Sequence, residues 1–352
     1  MINIREAVEA DNDALVDLQS RCPQGTTFVA SIVNTPDFFT RARMHEDYRV
    51  YVACDDNRVV GSIACTVREG YVNGGFEKVG RVFQLFVDPA CRGKRIAGQL
   101  LQSCEEYLNS FNAVLSYGYI VEGNVPSVRN ILRQGYVHHR AMTMPGIPVF
   151  REMRIPSEAV IRPVASGDLA ALAALINKTW EGHTLFEHVT TAKLERLLTA
   201  TPGFSYQSTF VLEEDGQLCC CMGYWDLSRI MRMTVKALSL EMRLAGLLLG
   251  IGGILLPLPR PPGPGEVLRQ AVLEPIAFAH PKYVTTLLKN VNNVVRRNNS
   301  RQIFFGCEKG SPLFRSLGGF THIDVTMHLY VKYLRNELRL GDGPVYMTGL
   351  DL

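Results

Sequence analysis

Residues 82–98 read VFQLFVDPACRGKRIAG, and this stretch decides the fold. Its first six residues form a continuous apolar run apart from one glutamine, which predicts a buried strand that Pro89 ends. After a basic turn, apolar residues recur at helical spacing from Ala97 to Phe111 and predict an amphipathic helix. The stretch therefore encodes a strand, a basic glycine-containing turn and the N-terminus of a helix.

This turn has the chemistry of an anion-binding site. The first amides of the helix lack partners within the helix, and the positive end of its dipole points into the turn. Arg92, Lys94 and Arg95 add positive charge, and Gly93 lets the backbone approach a ligand closely. A diphosphate fits this pattern. The alternative is an ordinary basic connection between a strand and a helix.

A second set of signals follows. Residues 113–121 predict another strand, and Asn124, Ser127, Ile131 and Gly135 stand at positions 0, 3, 7 and 11 of the helix after it. Together with the first stretch, this pattern resembles the GNAT (Gcn5-related) N-acetyltransferases. Arg92 and Ala97 match that family's Arg-x-x-Gly-x-Gly/Ala signature, whereas Arg95 replaces its middle glycine.

The resemblance implies an α+β fold, with a mixed, mostly antiparallel sheet flanked by helices, and acetyl-CoA as the co-substrate. It implies a backbone amide of Phe86 or Val87 as the group that polarises the thioester carbonyl. It also implies that Asn124 hydrogen-bonds the pantetheine arm. The coenzyme-binding residues expected on this basis are Leu85, Phe86, Val87, Arg92, Gly93, Lys94, Arg95, Ile96, Ala97, Gly98, Asn124 and Ser127.

The sequence departs from the family at both positions that carry proton transfer. Gln84 stands where a glutamate base is common; it cannot take a proton but can hold a water. Ile131 stands where a tyrosine acid is common. Glu122 is therefore our first candidate for the base and Tyr119 for the acid, against the alternatives of a surface carboxylate and a core aromatic residue.

The last residues, 336–352, form a short tail with two turn signals. General physical reasoning favours a frayed terminus. The resemblance offers an alternative, because some tandem members of the superfamily use a C-terminal carboxylate as the base.

The chain also contains an internal repeat. IREAVEAD at residues 4–11 corresponds to IRPVASGD at residues 161–168, and FVDP at 86–89 corresponds to FAHP at 278–281. We therefore expect two tandem GNAT folds: a coenzyme-binding domain at 1–152 and a degenerate copy at 158–335. The second copy lacks the basic turn and has an insertion around 228–266. Its apolar segment at 244–258 has three open roles: covering the second lobe, forming a homodimer or contacting a membrane surface.

The composition argues against several other classes of function. A net charge of +3 without a Lys/Arg block argues against nucleic acid, and the apolar segment is shorter than the roughly 20 residues of a spanning helix. Nine cysteines without metal-type spacing argue for a reduced, cytoplasmic protein without a metal.

We thus expect transfer of an acetyl group to a primary amine, on a small molecule or a peptide, by direct attack. The alternative is a non-catalytic acyl-CoA-binding sensor or scaffold.

Overall fold

The computed structural model describes residues 2–25, 28–244 and 262–351. In the first half, a short strand, a helix, a seven-residue strand and three longer antiparallel strands precede the basic turn, after which helices and strands alternate. The elements are β1 (Ile2–Glu6), α1 (Asn12–Arg21), β2 (Phe28–Asn34), β3 (Asp47–Asp55), β4 (Arg58–Val72), β5 (Gly75–Val87), α2 (Ile96–Ser110), β6 (Leu115–Val121), α3 (Val125–Arg133) and β7 (Val137–Pro148).

The second half repeats this order of elements in outline. They are β8 (Val160–Pro163), α4 (Leu169–Thr179), α5 (Thr191–Ala200), β9 (Thr209–Glu214), β10 (Gln217–Asp226), β11 (Met231–Leu238), β12 (Val267–Leu268), β13 (Gln270–Phe278), α6 (Pro281–Arg297), β14 (Gln302–Phe304), α7 (Pro312–Arg315) and β15 (Ile323–Tyr333). The sequence places no basic turn before α6, and the structure agrees: the His280 side chain caps this helix directly after the strand.

The two halves share one sheet of twelve strands, ordered β1-β3-β4-β5-β6-β15-β7-β14-β13-β10-β9-β8. The prediction of a mixed, mostly antiparallel sheet is confirmed, since β5–β6 and β13–β14 are the only parallel strand pairs among the described residues. The last strand of each half pairs with strands of the other half: β15 lies between β6 and β7, and β7 pairs with β14. The boundaries at 152 and 158 therefore remain a sequence-based proposal within a continuous sheet.

An equivalent ion pair lies near the start of each half and supports the repeat. The Arg5 guanidinium makes two hydrogen bonds of 2.7 Å to the Asp11 carboxylate, and Arg162 makes the corresponding bonds of 2.6 and 2.9 Å to Asp168. Each aspartate also accepts a backbone N–H three residues earlier. These carboxylates thus fasten the strand to the turn before the following helix and make no capping hydrogen bond to the helix itself.

A bulge in the corresponding strand of each half corrects the sequence alignment. Across β4, Ser62 pairs with Phe86 and Ala64 with Phe83, so two residues of β5 lie opposite one residue of β4. Across β10, Met222 pairs with Ile276 and Tyr224 with Leu273 in the same way. The structural counterpart of Phe86 is therefore Ile276, and the alignment on Phe278 is two residues out.

The flanks of the insertion reach the first half. Strand β11 pairs with β2 along seven residue pairs and with β12 on its other edge, which forms a separate three-stranded sheet. Most of the apolar segment at 244–258 lies outside the described residues. Among the described residues, no helix combines the length and apolar character needed to cross a membrane.

The exchange of β7 and β15 predicts that the two halves unfold together. Trp180 and Trp225 are both buried in the second half and report its packing, whereas far-UV circular dichroism reports the whole chain. We expect both signals to give one urea midpoint, because neither half keeps its sheet once the other unfolds. Two separated midpoints would show that the halves are independently stable.

Candidate active site

The turn between β5 and α2 opens an exposed helix N-terminus. Gly93 has φ +84° and Arg95 has φ +61°, so both residues are left-handed. Arg95 is the residue before the first turn of α2, and the side chains of Arg92, Lys94 and Arg95 are exposed. Lys94 Nζ lies 3.7 Å from Asp55 Oδ2. Free amides and three cations therefore meet where the sequence predicts the diphosphate site.

The buried side chain of Asp88 holds the start of this turn in place. Its buried carboxylate accepts the Ala90 N–H at 3.0 Å and pairs with the guanidiniums of Arg21 and Arg58. Burial alone would raise the pKa of Asp88, but the Ala90 N–H and the two arginines outweigh it and lower that pKa. The carboxylate is thus charged at neutral pH and holds the loop backbone in place.

Strands β5 and β6 separate from each other before the chain reaches this turn. They pair only where Val79–Arg81 face Leu115–Tyr117, whereas β6 pairs along its other edge with β15 over its whole length. Within the described chain, the edge of residues 84–87 that faces β6 has no strand partner. This V-shaped opening begins at the bulge, where Gln84 has φ +53°. Backbone amides at such an edge can polarise a carbonyl oxygen.

Gln84 lies at this bulge and is 8 % exposed. Neither its carboxamide oxygen nor its nitrogen has a hydrogen-bond partner among the described residues. Buried amides are rarely left in this state, so a water or a ligand polar group belongs beside Gln84.

The helix that follows β6 begins at Asn124, as the spacing predicts. The Asn124 side-chain oxygen accepts the Ser127 N–H at 3.3 Å and caps α3. Since the cap uses this oxygen, a contact from Asn124 to a pantetheine arm would use the amide nitrogen. Gly98 has a packing role here: a Cβ at that position would lie 2.7 Å from the Gln134 side-chain nitrogen at the end of α3.

The sheet has two faces at the opening. The face covered by α2 and α3 is here called the coenzyme face, after the ligand that the sequence predicts there, and the opposite face, covered by residues 344–351, is called the tail face. Tyr119 packs on the tail face, with its ring centroid 6.0 Å from that of Tyr117. Burial, followed by the nearby Asp351 carboxylate, raises the pKa of Tyr119 well above its ordinary value. Its buried hydroxyl is therefore protonated at neutral pH, and it has no partner among the described residues.

Glu122 lies on the other side of the sheet. Its side chain is 69 % exposed and stands 3.8 Å from His328 Nε2. His328 in turn hydrogen-bonds His138 at 3.1 Å, and the neighbouring Tyr330 packs with the coenzyme-face cluster. The structure therefore does not bring Glu122 and Tyr119 together, because side chains alternate between the faces of a strand.

A buried charged cluster on the tail face is missing from the sequence-based site. Arg81 is 3 % exposed, and its Nε lies 3.2 Å from Asp351 Oδ1. Arg68 donates to the Tyr117 hydroxyl at 2.9 Å, and that hydroxyl donates to Asp351 Oδ1 at 3.3 Å. Arg81 could have been noticed as a charge within an apolar strand pattern. Asp351 had no such signal, because the tail was expected to fray.

The positive charge of the arginines in this cluster also acts on His45. His45 is packed edge-on against Phe83, and burial together with the charges of Arg81, Arg68 and Arg41 lowers its pKa to about 3. The imidazole is thus neutral at all physiological pH values.

The tail itself is ordered, which corrects the expectation of a frayed terminus. Val345, Tyr346, Met347 and Asp351 are all buried. The Tyr346 N–H donates to Thr184 O and the Thr184 N–H donates to Pro344 O, so the tail lies against the first loop of the second half. Leu352, and with it the alternative of a C-terminal carboxylate as base, lies outside the described residues.

The comparison with known families agrees with this geometry. The model of the Acetyltransferase (GNAT) family matches residues 12–136, which include the turn, the parted strands and α3. Residues 12–136 form a GNAT domain. This assignment supports acyl transfer from a coenzyme A thioester. No group of three or more potential metal ligands occurs among the described residues.

Solved structures extend the likeness in fold to nearly the whole chain. Saccharomyces cerevisiae N-myristoyltransferase with bound myristoyl-CoA has a TM-score of 0.66 at 12 % identity, over 98 % of this chain and 85 % of that one. A GCN5-related N-acetyltransferase from Sphaerobacter thermophilus has a TM-score of 0.59 at 15 % identity, over 96 % and 98 %.

A third similar structure is the GCN5-related glucosamine N-acetyltransferase region of a fungal multi-domain GH3 β-N-acetylglucosaminidase. It has a TM-score of 0.63 at 12 % identity, over 94 % of this chain and 38 % of that one. At these identities the likenesses show the fold alone. None of the curated proteins matches the sequence.

The left-handed conformation of Arg95 predicts a stabilising substitution. A residue with a Cβ costs roughly 1–2 kcal/mol in this conformation, and glycine avoids that cost while adding some unfolded-state entropy. We expect Arg95→Gly to raise the free energy of unfolding by about 0.5–1 kcal/mol, measured by urea denaturation. Arg95→Ala is the control, because it removes the charge but keeps the Cβ. Equal effects from the two substitutions would contradict this interpretation of the turn.

Proposed function

We propose that the protein transfers an acetyl group from acetyl-CoA to a primary amine of a small molecule or peptide by direct attack. The observation that carries the proposal is the coincidence of two features on one strand. The basic turn at 92–98 follows β5, and β5 parts from β6 a few residues earlier. A diphosphate at the turn therefore places the pantetheine arm along the opening.

The acyl end of the donor would then lie at the bulge of β5. Here the unpaired backbone edge of residues 84–87 offers amides to the thioester carbonyl. The unsatisfied carboxamide of Gln84 can hold a water beside the reacting atoms. Orientation of the amine against the carbonyl supplies much of the rate in such a reaction.

Attack by the neutral amine forms the carbon–nitrogen bond and breaks the carbon–sulfur bond; the nitrogen loses one proton, and the departing thiolate must gain one. Tyr119 is suited to this step because its hydroxyl is protonated, buried and without a partner among the described residues. Glu122 is less suited to the role of base than the sequence suggested, since it stands on the coenzyme face beside His328. Through His328 and His138 it could still exchange protons with solvent.

Turnover separates the enzyme from its alternative, an acyl-CoA-binding sensor. Release of free coenzyme A is measured with a thiol reagent, using acetyl-CoA and a panel of amino acids, peptides with free N-termini and amino sugars. We expect release that depends on one class of amine and an acetylated product detected by mass spectrometry. Tight binding of acetyl-CoA by calorimetry, without release in any mixture, would favour the sensor.

The role of Tyr119 gives a second test. We expect Tyr119→Phe to lower kcat about 100-fold, the usual range for loss of a positioned proton donor, with little change in KM for acetyl-CoA. Tyr107→Phe is the matched control, because that ring packs at the surface of α2 against Phe111. A kcat within twofold of wild type for Tyr119→Phe would exclude it as the acid.

A further inference from the structure

The second half carries a buried carboxylate at the bulge where the first half carries Gln84. Gln84 follows Phe83, which pairs with Ala64, and Glu274 follows Leu273, which pairs with Tyr224. The two residues therefore occupy equivalent positions in β5 and β13. Both are 8 % exposed. The second half has no basic turn, so Glu274 has no coenzyme of its own beside it.

Glu274 instead holds the tail. The Tyr346 hydroxyl donates to Oε1 at 3.1 Å, and the Thr348 hydroxyl and the Gly349 N–H donate to Oε2 at 3.0 and 2.6 Å. The approach is close: a Cβ on Gly349 would lie 2.6 Å from Val272 Cγ1. Burial raises the pKa of Glu274, although its three donors oppose that rise. One carboxylate thus holds three residues of the tail within a stretch of four.

Two residues further on, the same tail enters the opening of the first half. Arg81 donates to Leu350 O at 2.7 Å and to Asp351 O at 2.5 Å, and the Asp351 N–H donates to Thr348 O at 2.9 Å. The tail is therefore fastened at one end by the second half, through Glu274, and at the other end by the first half, through Arg81.

This double attachment leaves one carboxylate oxygen unused. Oδ1 of Asp351 accepts the Tyr117 hydroxyl and lies next to Arg81, whereas Oδ2 is buried without a hydrogen-bond partner in the described chain. The nearest cation, Arg68 Nη2, is 3.9 Å from Oδ2, beyond hydrogen-bond distance. A buried carboxylate oxygen in this state calls for a donor, and an ammonium group is a strong one.

We propose that Glu274 is a positioning residue for acyl transfer. It holds the tail so that Asp351 Oδ2 receives the ammonium group of the acceptor on the tail face, the same face as Tyr119, and takes the proton that this nitrogen must lose before it attacks. This inference rests on the proposed function. It assigns the degenerate second half a definite part in the reaction: its bulge carboxylate acts through the tail on the site of the first half.

The test compares an apolar and a hydrogen-bonding replacement. Glu274→Leu removes all three acceptor contacts, whereas Glu274→Gln keeps an oxygen towards the Gly349 N–H and an amide towards the Tyr346 hydroxyl, which can accept. We expect Glu274→Leu to lower kcat about 10–100-fold and to raise KM for the amine, with KM for acetyl-CoA unchanged. Glu274→Gln should restore most of the activity.

A second readout is independent of turnover. Hydrogen exchange should show the amides of Gly349 and Asp351 losing protection in Glu274→Leu, while those of β5 and β6 keep it. If Glu274→Leu does not fold, Tyr346→Phe combined with Thr348→Val removes two of the three donors with little change in shape and should show the same split between kcat and the coenzyme KM.

The outcomes are distinct. A wild type that acetylates no amine would refute the proposed function, whereas the exchange data would still test the hold of Glu274 on the tail. Loss of tail protection with wild-type kcat and amine KM would overturn the positioning role, as would a folded Glu274→Leu variant that keeps full tail protection.

Discussion

The parting of β5 from β6 after Arg81 is the constraint on which the rest of this structure depends. Two parallel strands that separate expose backbone on both inner edges, and buried backbone without partners is costly unless a ligand supplies them. A basic turn and the N-termini of two helices lie beside this opening on the coenzyme face. A buried cluster of arginines, tyrosines and Asp351 lies on the tail face. Our proposals place the acyl donor on the first side and the amine acceptor on the second.

The two copies of the fold divide the work. Both have the ion pair between an arginine of the first strand and the aspartate that follows it, and both have the strand bulge. Only the first has the basic turn among the described residues. The second copy contributes strand β15 to the centre of the sheet and Glu274 to the tail. The second copy therefore completes the sheet and the tail contacts of the first.

Local signals made much of this predictable. The basic turn and α2 follow from contacts between residues near in sequence, which spacing and composition encode directly, and the repeat was found by comparing two stretches of the chain. The exchange of β7 and β15 could not be predicted in this way, because strand order depends on pairings between residues nearly two hundred positions apart. The same holds for Asp351, which is buried only because Arg81 and Glu274 lie far away in the chain. Glu122 as the base stays a prediction. Its position beside His328 depends on the pairing of β6 with β15, which is also distant in sequence.

The most direct test of this account is hydrogen exchange with and without coenzyme A. The account predicts added protection at the amides of residues 92–99, at the edge of residues 84–87 and at the start of α3, with no change at the N-terminus of α6 in the second half. Protection confined to the second half, or none at the turn despite saturating coenzyme A, would contradict it.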